Sequence, residues 1–165
     1  HVLTFDRAAL PRRKVMSWYK APSKPDTEYA CGSDGSTFPL RELHRMRVDV
    51  AVAERGYAYY AENRVRYLCL DGMKGYALVE GTEPYDVEFV YSDGMIYALT
   101  CSCYCVGNCK HEVAAMLQLR EMLEEIESDP ASAAEYARTG YVAAVSREAF
   151  FTYAIDGKKT GTITL

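Results

Sequence analysis

The spacing of hydrophobic residues along the chain changes several times, and each change marks a predicted element. After Asp49, a residue type common at helix N-termini, the segment VAVAERGYAYYAENR carries apolar residues on both faces and predicts a helix. We expect Gly56 to weaken or end this helix, because glycine is a poor helix former. From residue 65 the period becomes two, with Val65 and Tyr67 on one face of a predicted strand.

The middle of the chain predicts an antiparallel meander of about four strands. Short apolar-alternating runs are joined by turn signals such as DGMKG, GTEP and SDG. The last run, MIYALTCSC, is expected to bring Cys101 and Cys103 to the end of a strand.

A second amphipathic pattern predicts the main helix, from Lys110 to Ile126. We interpret its apolar stripe as core packing against the sheet; the stripe consists of Val113, Met116, Leu117, Leu119, Leu123 and Ile126. Asp129 and Pro130 then predict the start of a short helix through PASAAEYAR. The tail predicts a β-hairpin with its turn at 156–161. The predicted fold class is therefore α+β, a small antiparallel meander with packed helices.

The 165 residues fit one domain with appendages. Residues 1–48 are expected to be irregular and basic, with nine Lys/Arg against five Asp/Glu. Residues 49–127 form the predicted central domain. Residues 128–165, the helix and hairpin, fit either an extension of it or the start of an adjoining domain. Both ends look cut, so we expect a piece of a longer protein, a natural mature terminus being the alternative.

The charge and hydropathy of the chain argue against some classes of function. The net charge of −4 argues against a broadly basic nucleic-acid binder. No run of 18 apolar residues and no signal peptide occur in the sequence. We therefore expect no membrane partner and an intracellular, cytoplasmic location.

The segment TCSCYCVGNCKH holds four of the six cysteines and one of the three histidines. A disulfide interpretation needs an oxidising compartment, and a bond between Cys101 and Cys103, two apart on a strand, would be strained. A redox interpretation expects C-x-x-C at a helix start, a spacing that this sequence lacks.

A metal site fits this segment better. Cys101 and Cys103 are predicted at a strand end, and Cys109 and His111 at a helix start, after a turn that contains Gly107. Three thiolates and one imidazole are a structural zinc set, and zinc suits such a closed site better than a redox-active iron. With four protein ligands no position remains for a water molecule, so we expect a structural metal and not a catalytic one.

The remaining cysteines are interpreted as thiols outside the site. Cys105 lies in the turn between the two pairs and is taken as a spare thiol, its replacement of Cys101 or Cys103 being the alternative. Cys31 and Cys69 lie far from the cluster in sequence. Glu112 follows His111 directly, and we expect its side chain to project to another side of the helix.

The pattern C-S-C, a gap of five residues, then C-K-H followed by EVAAML resembles the SWIM zinc finger. The upstream segments GYAYYAENRV and YALVEGTEPYDVEFV are also similar to that family, so the resemblance covers about Gly56 to Leu123. It implies that Zn²⁺ is the bound metal. The ligands that it implies are Cys101, Cys103, Cys109 and His111.

Bacterial members of that family often carry the finger ahead of a Swi/Snf-type helicase core. The resemblance thus implies a bacterial protein whose full length is an ATP-dependent helicase. The present chain has no P-loop motif and is expected not to be an enzyme.

The family is described as binding DNA or proteins, and local charge helps to choose between them. Residues 55–127 carry six Lys/Arg and twelve Asp/Glu. This acidic balance favours a protein partner, or the helicase core of the same polypeptide, over DNA. DNA contact through the basic segment 1–48 is the alternative.

Overall fold

The computed structural model describes residues 16–18, 37–103, 105 and 107–146. Within these residues seven strands form one sheet, accompanied by three α-helices. The strands are β1 Met16–Trp18, β2 Phe38–Pro39, β3 Val65–Asp71, β4 Lys74–Glu80, β5 Pro84–Ser92, β6 Met95–Cys101 and β7 Tyr141–Ser146. The helices are α1 Val50–Ala61, α2 Lys110–Ser128 and α3 Pro130–Thr139, with a 3-10 turn at Leu43–Arg45. The predicted hairpin with its turn at 156–161 lies outside the described residues, as does Cys31.

The predicted α+β class and the central meander are confirmed. Strands β3, β4, β5 and β6 pair in chain order, and each neighbouring pair is antiparallel. The sheet then grows at both edges, to the order β1-β7-β3-β4-β5-β6-β2. Strand β7 returns after α3 to pair with β3, and β1 lies parallel to β7. Strand β7 was not predicted from the sequence, and the segment that contributes β1 and β2 was expected to be irregular.

Helix α1 begins where the sequence predicts, because the Asp49 side chain accepts a hydrogen bond of 2.8 Å from the backbone N–H of Val52. The expectation that Gly56 ends the helix is wrong, since α1 continues to Ala61. Gly56 instead lets α1 approach α2 closely: a Cβ added to it would lie 2.4 Å from the Cβ of Val113.

Helix α2 lies between α1 and the sheet and forms the centre of the core. Its predicted apolar stripe is buried throughout, and Val113, Met116 and Leu119 have no exposed surface. These side chains join buried residues of the sheet such as Leu68 and Val87 in one hydrophobic cluster. No helix in the described part of the chain is long and apolar enough to span a membrane.

Strand β6 contains a bulge at Ala98, whose φ of 51° is left-handed. Ile96 lies opposite Tyr91, and Cys101 lies opposite Val87. Opposite residues share a face of the sheet, and Tyr91 and Val87 are an even number of positions apart on β5. Ile96 and Cys101 therefore face the same side, although they are an odd number of positions apart. The bulge turns Cys101 toward the core that α2 fills.

Candidate metal centre

The structure brings together the four residues that the sequence analysis singles out. One ligand atom each from Cys101, Cys103, Cys109 and His111 can be chosen so that all four lie within 4.8 Å of one another. These residues are therefore close enough to hold a metal ion. The group joins the end of β6 to the start of α2, and we name its two halves the strand arm (Cys101 and Cys103) and the helix arm (Cys109 and His111).

The strand arm is positioned by the last contacts between β6 and β5. Cys101 pairs with Val87, and the chain beyond it stays in register because Ser102 bonds twice to Asp86. The Ser102 backbone N–H donates to the Asp86 carbonyl at 2.9 Å, and the Ser102 hydroxyl accepts from the Asp86 backbone N–H at 2.9 Å. Cys103 follows in the turn, and both cysteines of this arm are half-buried.

The helix arm is positioned by a capping box at the start of α2. Cys109 is the N-cap residue, and its sulfur accepts a hydrogen bond from the backbone N–H of Glu112. The Glu112 carboxylate accepts in return from the backbone N–H of Cys109 at 3.0 Å. The buried Glu112 carboxylate thus holds the backbone of a cluster residue, a contact that was not predicted from the sequence.

His111 points one ring nitrogen at the sulfurs. Its Nδ1 atom lies 3.7 Å from the Sγ atoms of both Cys101 and Cys109. Bonds of about 2.3 Å to sulfur and about 2.1 Å to nitrogen at the tetrahedral angle would place sulfur and nitrogen about 3.6 Å apart. The observed distances therefore match an edge of a tetrahedral thiolate–imidazole site, and the residues present fit a metal of that kind.

The pKa values of the ligand groups follow from burial. Burial, together with the nearby charge of Lys110, lowers the pKa of His111 to about 4, which keeps the imidazole neutral and able to bind a cation. Burial raises the pKa of Cys103 to about 11. The pKa of Cys109 is also raised, mainly by a hydrogen bond with Cys101 and to a smaller extent by burial. These two thiols stay protonated at neutral pH until a cation displaces their protons.

The cysteines outside the group occupy different surroundings. Cys105 is exposed in the turn between the two arms. Cys69 is buried in β3, where it forms part of the sheet.

Burial of the Glu112 carboxyl raises its pKa to about 7, so this group adds less negative charge beside the thiols than an exposed glutamate would.

Two tyrosines surround the His111 ring, a contact that the sequence analysis does not predict. Tyr85 stacks on the ring with centroids 4.1 Å apart, and Tyr59 meets it edge-on at 5.6 Å. Arg64 Cζ lies 4.7 Å, and Lys110 Nζ 5.1 Å, from the centroid of the Tyr59 ring. No spacing rule links these tyrosines to a histidine in another element.

A surface groove of about 450 Å³ lies at the far end of α2 from the cluster. Its walls include Leu123 and Glu127 of α2 and Met95 of β6. Arg41 and Glu127 form an exposed ion pair of 3.6 Å there. None of the lining residues belongs to the cluster, so the groove and the metal centre are separate features.

Comparison of the chain with models of protein families, with curated proteins and with solved structures finds no match. Function is therefore inferred from the chain's own residues.

Proposed function

We propose that this chain is a zinc-binding module in which Cys101, Cys103, Cys109 and His111 hold one structural Zn²⁺ ion. The observation that carries the proposal is the convergence of four donor groups within 4.8 Å, with the His111 Nδ1 atom 3.7 Å from two sulfurs. Three thiolates and an imidazole are a donor set that zinc takes in structural sites.

The position of the cluster supports a structural role. The two arms are separated in sequence by residues 104–108, and a metal bound to both would tie the end of β6 to the start of α2. Cys109 and His111 are each 4% exposed, so half of the donor set is closed to solvent. Such a site stabilises the fold when it is filled, because ligands that are close together in the folded chain are scattered in the unfolded one.

We further propose that the module is of the SWIM type and serves protein–protein interaction or scaffolding within a larger Swi/Snf-type helicase. The support is the spacing C-x-C…C-x-H together with the acidic balance of residues 55–127, which have six Lys/Arg and twelve Asp/Glu. A surface of that charge repels nucleic-acid phosphates and is compatible with a basic protein partner.

DNA binding through residues 1–48 is the second candidate, favoured by the excess of nine Lys/Arg over five Asp/Glu there. In the part of this segment that the structure describes, Arg41 pairs with Glu127, an acidic residue outside the segment, which offsets one of the excess charges. A measurement of binding to duplex DNA against salt concentration separates the candidates. Phosphate contacts would give an affinity that falls steeply with salt and that is lost when basic residues of 1–48 are changed.

Metal content of the purified chain tests the zinc proposal. We expect about one zinc per chain, with loss of the metal on changing Cys101, Cys103, Cys109 or His111 to Ala. Cys105→Ala is the matched control, because it removes a thiol from the same turn without removing a member of the cluster. A chain without zinc, or loss of zinc in the Cys105 variant equal to that in the others, would contradict the proposed ligand set.

A further inference from the structure

The two ring nitrogens of His111 lie in different surroundings. Nδ1 faces the sulfurs of Cys101 and Cys109, both at 3.7 Å. Nε2 is buried, and within the described residues it has no hydrogen-bond partner. A metal-bound histidine usually donates its second N–H to a carboxylate or carbonyl, which fixes the orientation of the ring. No group in the described part of the chain restrains His111 in this way, so we look to packing for the orientation of the ring.

The Tyr85 ring restrains one face of the imidazole. The two ring planes are inclined by only 22°, and their centroids are 4.1 Å apart. The Tyr85 hydroxyl lies 3.1 Å from the Thr82 hydroxyl, so the far end of the tyrosine is attached to the turn between β4 and β5. Tyr59 meets the imidazole edge-on from α1, at 5.6 Å. Rotation of the imidazole out of its plane would bring it against one of these rings.

Gly81 restrains the outer end of the imidazole. A Cβ added at Gly81 would lie 3.3 Å from His111 Nε2 and 2.9 Å from Cε2 of Tyr85. The backbone at this position thus already borders both rings, and there is no room for a side chain. A backbone N–H···O bond of 3.0 Å from Gly81 to the Glu83 carbonyl keeps the turn tight.

We propose that Gly81, Tyr85 and Tyr59 are positioning residues that hold the His111 ring so that Nδ1, and not Nε2, binds the metal. The inference rests on the proposed zinc centre and adds which nitrogen is the ligand and what selects it. Binding through Nε2 would require the imidazole to withdraw from the sulfurs by about the width of the ring, into the space that Gly81 and Tyr85 occupy.

The direct test is nitrogen NMR of the zinc-loaded wild-type chain, with the imidazole of His111 assigned. We expect the spectrum to show zinc on Nδ1 and the proton on Nε2. Zinc on Nε2 would overturn the inference while leaving the zinc centre in place. A wild-type chain that binds no zinc at all would overturn the proposed function and the inference with it.

Variants test what selects the nitrogen. Gly81→Ala and Tyr85→Leu should lower zinc affinity about 10- to 100-fold, the range found when groups that orient a ligand are lost. They should also give mixed Nδ1 and Nε2 signals from His111. Tyr85→Phe keeps the stacked ring and should restore both the affinity and the single Nδ1 signal, although it removes the bond to Thr82.

Tyr97→Leu is the matched control, since Tyr97 is an exposed tyrosine of the same sheet, 40% accessible. It should leave zinc affinity and the His111 signals unchanged. Circular dichroism of each zinc-free variant checks that the fold is intact. Zinc affinity within twofold of wild type in folded Gly81→Ala and Tyr85→Leu, with a single Nδ1 signal, would show that these residues do not position the ring.

Discussion

The two arms of the cluster differ in how firmly the fold holds them. In the helix arm, Cys109 is bonded to Glu112 through the capping box, and His111 is packed between Tyr59 and Tyr85. In the strand arm, Cys101 and Cys103 are half-buried, and the exposed Cys105 follows two residues later. The helix arm is thus built into the core, and the strand arm lies at its margin.

This difference distinguishes what the protein fold contributes to the site from what a bound metal would contribute. Burial and packing preorganise the helix arm before any metal binds, because those contacts are made between groups of the protein itself. A metal would add most to the strand arm, whose two cysteines are only half-buried. We therefore expect chelation of zinc to raise amide hydrogen exchange in 101–108 far more than in α2.

Removal of a ligand should have the largest effect. Cys103→Ala and Cys109→Ala should each lower zinc affinity by about a hundredfold or more, because four ligands share a binding free energy of roughly 10–16 kcal/mol. In the zinc-free state the two should differ: Cys109→Ala loses a helix cap and should cost about 1 kcal/mol. Cys103→Ala should stay within about 0.5 kcal/mol of wild type.

Competition titration with a chelator measures the zinc affinities, and urea denaturation of the zinc-free variants measures their stabilities. Equal stability of the two zinc-free variants would remove the proposed difference between the arms.

The pH dependence of zinc binding should be steep. The pKa of Cys103 is raised to about 11 and that of Cys109 is also raised, so both thiols carry protons between pH 6 and 8, and zinc must displace them. His111, with a pKa of about 4, is already neutral there and releases none. Affinity should therefore rise about a hundredfold per pH unit, or more, as pH increases. Calorimetry in buffers of different ionisation enthalpy counts the protons; release of fewer than about two per zinc would contradict this.

Packing of α1 against the first turn of α2 supports the helix arm. A Cβ at Gly56 would lie 2.4 Å from the Cβ of Val113 and 3.0 Å from the carbonyl oxygen of Lys110, in the first turn of α2. Gly56→Ala should therefore destabilise the chain by about 1–3 kcal/mol, although alanine favours helix by about 1 kcal/mol. Thermal unfolding measures the change, with Glu54→Ala on the exposed side of α1 as the control. A stabilised Gly56→Ala variant would show that the helices are not in close contact there.

The bulge in β6 sets the orientation of the strand arm. Ala98 is exposed with a φ of 51°, a conformation that is costly for branched side chains. Ala98→Val should destabilise the chain by about 1–2 kcal/mol and weaken zinc binding, whereas Ala98→Gly should be neutral or slightly stabilising. Urea denaturation of the pair measures this difference. A more stable valine variant would mean that β6 runs without the bulge.

The smallest effect is expected at the exposed thiol. Cys105→Ser should leave zinc affinity within about twofold of wild type, because Cys105 is not among the four residues that converge. The same chelator competition measures it. A tenfold loss would mean that Cys105 takes the place of a strand-arm ligand and that this arm is not defined by Cys101 and Cys103.

Much of the fold is predictable because its signals are local. The period-two runs and the turns between them give β3 to β6, and the apolar stripe of α2 gives its buried face. The capping residue Asp49 gives the start of α1. The pairing of β7 with β3, and of β1 with β7, depends on contacts between distant segments, so the local pattern does not reveal it. Gly56 is a second example of a long-range effect that the local pattern does not reveal. Its close contact with α2 outweighs its low helix propensity, so α1 continues through it.

The candidate site also combines features that the sequence predicts with features that depend on the tertiary fold. The spacing of the cysteines and the histidine predicts which residues could share a metal, and the structure brings those residues together. The surroundings of His111 were not predictable, because Tyr59, Gly81 and Tyr85 come from a helix, a turn and a strand that only the tertiary fold unites. The role of Glu112 was also missed, although Cys109 and Glu112 have the spacing of a capping box.

X-ray absorption spectroscopy at the zinc edge of the purified chain tests the central claim most directly. The account predicts one zinc with three sulfur ligands near about 2.3 Å and one nitrogen ligand near about 2.0–2.1 Å. The nitrogen contribution should disappear in His111→Ala, and the spectrum should not change in Cys105→Ser. Four sulfur ligands in the wild-type chain, or a spectrum that changes in Cys105→Ser, would contradict the proposed centre.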